Sequence, residues 1–151
     1  MLLIQVNPGL DIMIKYQWLF PATECVHIIG FALTIGTIAL VDFGLLGFGF
    51  RREATGQLVR STAPWTLSGL ILIIFSGLLL FSTDPDHYYS NRAFQIKVTC
   101  LAVAILLNYT IHRKVALSKN DSGAFAHLVG AISLALWISV VFGGLFIGFT
   151  T

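Results

Sequence analysis

Four apolar stretches, Phe20–Gly47, Pro64–Phe81, Phe94–Ile111 and Ala126–Phe149, fill most of the chain. A helix rises about 1.5 Å per residue, so roughly 20 apolar residues cross a hydrocarbon core about 30 Å thick. Each stretch is long enough once tilt and a little interface are allowed. Bilayer interiors offer no water to backbone amides, so each span must satisfy its own hydrogen bonds as a helix. The chain therefore reads as an all-α integral membrane protein. It forms one up-down bundle over residues 1–151, with transmembrane helices at about 20–47, 64–81, 94–111 and 126–149.

Charge supports this class. Charged residues make up 11% of the 151 residues and hydrophobic ones 56%, whereas soluble domains carry about 25% charged residues. The net charge of +2 is too small to suggest a nucleic-acid partner. The first 17 residues lack a basic leader and contain the turn Asn7-Pro8-Gly9, so they do not read as a cleavable signal. Leu10–Gln17 is expected to form a short interfacial helix ahead of Trp18. Cys25 and Cys100 have no CxxC spacing and read as small apolar filler.

Basic residues are biased to one side. Arg51, Arg52 and Arg60 follow helix 1, and Arg113, Lys114 and Lys119 follow helix 3, against only Lys15 and Arg92 on the other side. Six against two in short loops places loops 1 and 3 in the cytoplasm and both termini outside. The expected location is a bacterial inner membrane. Gly143 and Gly144-x-x-x-Gly148 on helix 4, and Gly69 and Gly77 on helix 2, are expected to let helices approach closely. Gly144 and Gly148 are also the expected docking edge for other membrane subunits. Ser68, Ser76, Ser133 and Ser139 are expected to bond back to their own helices.

Polar residues inside the apolar runs form two stripes. On a wheel of about 100° per residue with His27 at zero, Glu24 and Asp42 fall near 60° and Thr34 near −20°. With Lys97 at zero on helix 3, Asn108 falls near 20° and His112 near 60° on the same count. Helix rise puts Glu24, His27 and Lys97 roughly 9–14 Å outward of the midplane, and Asp42, Asn108 and His112 roughly 7–14 Å inward. Two polar tiers are thus expected between adjacent helices 1 and 3. Lys97 would reach Glu24 or His27, and His112 would reach Asp42. An unpaired charge at such depths costs several kcal/mol, so these groups must be paired, hydrated or functional.

The segments Trp18-Leu-Phe-Pro-Ala-Thr-Glu24-Cys-Val-His27 and Gly36-Thr-Ile-Ala-Leu-Val-Asp42-Phe-Gly-Leu-Leu-Gly47 resemble the first helix of an uncharacterised family of small bacterial four-helix membrane proteins. Tyr88-Tyr89-Ser-Asn91-Arg-Ala-Phe94-Gln-Ile-Lys97, with Asn108 and His112, resembles its third helix, and Pro64-Trp65 and Gly77 fit its second. The resemblance spans nearly the whole chain and implies no particular reaction. Gly44 departs from the pattern, which usually has an arginine there, so Asp42 must find His112 or a loop arginine instead. The four-helix plan with an early histidine is more distantly similar to copper-resistance D-type and cytochrome b561-type membrane proteins.

These residues leave several functions open. An accessory membrane subunit or a proton or small-ion relay fits the two tiers, although Ile38, Leu101 and Ala104 leave the middle dry. A haem b carrier would draw on His27, His87, His112 and His127. His27 and His112 lie roughly 20 Å apart along the membrane normal and cannot share one iron. Two haems would pair His27 with His87 and His112 with His127, yet Asp84-Pro85-Asp86-His87 reads as a turn and His127 lies at the start of helix 4. A copper or other metal site would use Glu24, His27 and His87, with Asp84 and Asp86 leaning in, against the repulsion of Lys97. No nucleophile–base pair or phosphate loop is legible, so an enzyme acting alone is not indicated.

Overall fold

The computed structural model describes residues 15–48, 52–118 and 123–149. The expected interfacial helix falls largely outside them, as do Arg51 and Lys119. Among the described residues all regular structure is helical: α1 (Leu19–Leu45), α2 (Arg52–Phe81), α3 (Pro85–Ser90), α4 (Arg92–Leu107), a π-helical turn (Asn108–His112), α5 (Arg113–Leu117) and α6 (Gly123–Phe146). Helix α4, the π turn and α5 run on as one rod, Arg92–Leu117, which together with α1, the Thr55–Phe81 part of α2, and α6 makes four helices long and apolar enough to cross a membrane. Large apolar side chains such as Ile28, Ile71, Phe75 and Leu145 stand exposed around the outside, as a lipid-facing surface requires.

Helix ends depart from the hydropathy boundaries for local reasons. α1 stops at Leu45 because Gly47 turns left-handed (φ 79°), a conformation open to glycine. α2 starts at Arg52 rather than at Pro64, with the proline inside it. The amide missing at Pro64 frees one carbonyl near the polar end of the helix, while Val59 is drawn into the inner core with Val41, Leu45 and Val115. The Asp84–His87 segment is the start of a short helix, not a turn. Asp84 caps it by accepting the His87 amide at 3.2 Å, and Pro85 occupies its first turn. Asn91 then caps α4, accepting from Ala93 and Phe94, and its own amide reaches the Ile147 carbonyl at 3.2 Å.

Glycine decides which helices are neighbours. A Cβ on Gly30 would come within 3.0 Å of Leu72, and one on Gly69 within 2.9 Å of the Gly30 carbonyl, so α1 and α2 nearly touch backbone to backbone. A Cβ on Gly143 would meet Lys97 Cβ at 3.0 Å, which seats α4 on α6, and one on Gly130 would meet Leu45 Cβ at 3.1 Å, which seats α6 on α1. No such seam joins α1 to α4. The expected side-by-side packing of the first and third spans is therefore replaced by a diagonal one, with α1 against α2 and α6, and α2 meeting the third span mainly through α5. Ile38, Leu70, Ala104 and Trp137, one from each spanning helix, close the centre of the bundle as a buried apolar layer.

Candidate functional site

Asp42 lies fully buried on the C-terminal half of α1, where Ile38 precedes it by one turn and Leu45 follows by one. Its Oδ1 is 2.6 Å from His112 Nε2, across the bundle, and its Oδ2 accepts the Ser133 hydroxyl of α6 at 3.0 Å. One carboxylate thus ties three helices together. Both oxygens are occupied, which is how a polar group so far from water is kept satisfied. The central layer of Ile38 and Trp137 lies on one side of this cluster, and the inner core of Val41, Leu45, Val115 and Val129 lies on the other.

Ser133 was expected to bond back to its own helix. It donates across to Asp42 on α1 instead, because the carboxyl oxygen has lone pairs not already engaged in a helix hydrogen bond. Ser68 and Ser139 do bond back, to Pro64 and Ala135. Gly44 faces Thr55: a Cβ there would lie 2.7 Å from Thr55 Oγ1. An arginine would not fit that space, and His112 supplies the partner that Asp42 needs.

The π turn shapes the rest of the site. The Arg113 amide bonds the Asn108 carbonyl five residues back, so the rod is locally wider than an α-helix. Beside it, between α1, α2 and the turn, lies a cleft of about 280 Å³ whose polar walls are Thr37, Thr62, Thr66, Asn108, His112 and Arg113. Thr37 and Thr66 bond each other at 2.8 Å.

The outer tier is built differently from the expectation. His27 Nδ1 lies 2.7 Å from Ser76 Oγ on α2. The Ser76 hydroxyl also reaches back to the Leu72 carbonyl of its own helix. The ring fits because Gly77 leaves room for it; a Cβ there would meet His27 Cε1 at 3.1 Å. Lys97 forms no salt bridge with Glu24, which is exposed. Its ammonium sits 5.1 Å from the Phe31 ring centroid and lies against Gly144, and the His27 ring meets the same Phe31 edge-on at 5.0 Å. Phe31, four residues from His27 and on its face, links the two, and as an apolar residue in an apolar run it gives no sequence signal of that role. Gly144 is thus occupied within the chain, while Gly148 faces open space.

The four histidines do not converge. His27 and His112 are engaged by Ser76 and Asp42, His87 rests edge-on against Tyr88 at 5.7 Å, and His127 is exposed one turn into α6. Glu24, His27 and His87 form no cluster, and among the described residues no three His, Cys, Asp or Glu side chains are grouped to hold a metal. Beyond the outer tier, Phe81 and Phe94 stack with ring centroids 5.6 Å apart, and Tyr88 lies tilted against both. They close the gap between α2 and α4. Burial pushes the Tyr88 phenol above its ordinary range, helped by the nearby carboxylates of Glu24 and Asp84.

Comparison with known proteins adds one result. The model of a family of unknown function (DUF6644) matches residues 15–150. Neither the curated proteins nor the solved structures contain a significant match to the chain.

Proposed function

The chain belongs to the family of unknown function DUF6644, and we propose that it is a multi-pass membrane subunit in which Asp42 and His112 take up and release a proton. The carrying observation is the 2.6 Å contact between the buried Asp42 carboxylate and His112 Nε2. An acid and an imidazole held this close share one proton site, and histidine is the side chain most easily moved across neutral pH. Ser133 holds the second carboxylate oxygen at 3.0 Å, so the acid keeps its orientation while the proton moves.

The proton exchanges with one side. His112 lines the cleft beside the π turn, whereas the Ile38, Leu70, Ala104 and Trp137 layer separates the cluster from His27 and Lys97. The reading is thus a half-relay, and a path through the whole membrane would require that layer to open. The excess of basic residues in loops 1 and 3 supports a reading with the cleft on the cytoplasmic side of a plasma membrane and both termini outside.

Infrared difference spectroscopy of the reconstituted protein tests this. A carboxylic C=O band should grow as pH is lowered, and it should vanish in Asp42→Asn. Identical spectra for the two proteins would overturn the proposal.

A further inference from the structure

The cleft beside the π turn has a surplus of donors and a hydrophobic lip. Among the described residues, neither the Asn108 amide nor the Arg113 guanidinium has a side-chain hydrogen bond or ion pair. On an α-helical wheel residues five apart diverge by roughly 140°, which would aim one of them away. The bond from the Arg113 amide to the Asn108 carbonyl closes much of that angle, and both side chains line the one cleft. An amide and a guanidinium without partners at the edge of a membrane favour an acceptor between them.

Among the described residues, no acidic side chain lines the cleft. Its three threonines have little to donate, since Thr37 gives its proton to Leu33, Thr62 to Leu58, and Thr66 to Thr62 or Thr37. They present methyl groups and lone pairs. The lip carries Leu67 and Tyr109, 51% and 42% exposed, so the cleft opens sideways toward acyl chains. Its volume of about 280 Å³ lies at the small end of ligand sites, which run from roughly 300 to 1,000 Å³.

We propose that this cleft binds a single-chain amphiphile by its anionic head, carboxylate or phosphate. The head accepts from Asn108 and Arg113 near the inner interface, the guanidinium offering its planar fork to two oxygens. The chain runs toward the midplane along Ile38, Thr66 and Leu67. The site does not rest on proton exchange at Asp42, whose oxygens are taken by His112 and Ser133.

Equilibrium binding to the purified full chain tests it, with laurate, monododecyl phosphate and neutral dodecanoyl-glycerol as probes. Saturable binding of laurate or the phosphate is expected, with the neutral probe weaker by about tenfold or more, the loss of a charge-assisted hydrogen bond. The anion that binds more tightly identifies the head. Arg113→Gln and Asn108→Leu should each weaken it by about tenfold. Lys114→Gln removes the same charge one residue further on, outside this cleft, and should leave affinity unchanged. Arg113 is exposed, so its variant remains informative even where Asn108→Leu fails to fold. Equal binding of the neutral probe, equal losses in Arg113→Gln and Lys114→Gln, or no saturable binding of either anion would overturn the assignment.

Discussion

His112 and Asp42, 70 residues apart in the chain, are joined by a 2.6 Å hydrogen bond in the interior of the bundle. Removing one partner strands the other without water. Asp42→Leu and His112→Leu should each lower stability in detergent by about 3–5 kcal/mol, while the double variant should lose much less than their sum. Losses that simply add would show that the contact carries no coupling.

The two close-packed glycines Gly44 and Gly69 should respond differently to alanine. At Gly44 the obstruction is the Thr55 side chain, 2.7 Å from the added methyl. Gly44→Ala should cost about 1–3 kcal/mol, and Thr55→Ala should recover most of it. At Gly69 the methyl meets Thr34 Oγ1 and also backbone, the Gly30 carbonyl and the Thr34 amide, both at 2.9 Å. Gly69→Ala should therefore remain destabilised in a Thr34→Ala background, as thermal unfolding of the four proteins would show.

Lys97 and Glu24 should behave as independent residues. The ammonium rests on Phe31 rather than on the carboxylate, so the effects of Lys97→Met and Glu24→Gln should add to within about 0.5 kcal/mol. Phe31→Leu should interact with Lys97→Met, since the ring contact is worth about 0.5–2 kcal/mol. Rescue of Lys97→Met by Glu24→Gln would contradict this geometry.

Tyr88 should be the late tyrosine in an alkaline titration. Burial, with Glu24 and Asp84 beside it, holds the phenol above the ordinary value of 10.0. A raised folded-state pKa means that its contribution to stability is complete below the unfolded value and is lost as pH climbs through the folded one. Ultraviolet absorbance should show a late-ionising component that disappears in Tyr88→Phe. A curve unchanged by that substitution would refute the assignment.

How much of the site could be read in advance depends on how local each relationship is. Asp42 and His112 stood out because each is an ionisable residue in an apolar run, where a partner is needed. Ser133 did not stand out, since a lone serine in a membrane helix has a carbonyl of its own in reach and only a neighbouring helix could draw it away. Arg113 reads only as a loop charge in the sequence, and the π turn is what brings it beside Asn108. Lys97 is expected against Glu24 or His27, and the space against Gly143 and Gly144 sets its ammonium on Phe31, whose ring His27 also meets.

The amino-acid order by itself determined the class and the crossings, because apolar length and backbone satisfaction act within each segment. It also determined which polar groups would need partners. The choice of partner belonged to the tertiary structure. Helices in a membrane choose their neighbours by how closely their backbones can approach, and the seams at Gly30–Gly69, Gly130 and Gly143 put α1 and α4 on a diagonal. From that arrangement came the three-helix grip on Asp42 and the cleft beside the π turn, which no single helix carries in its own sequence.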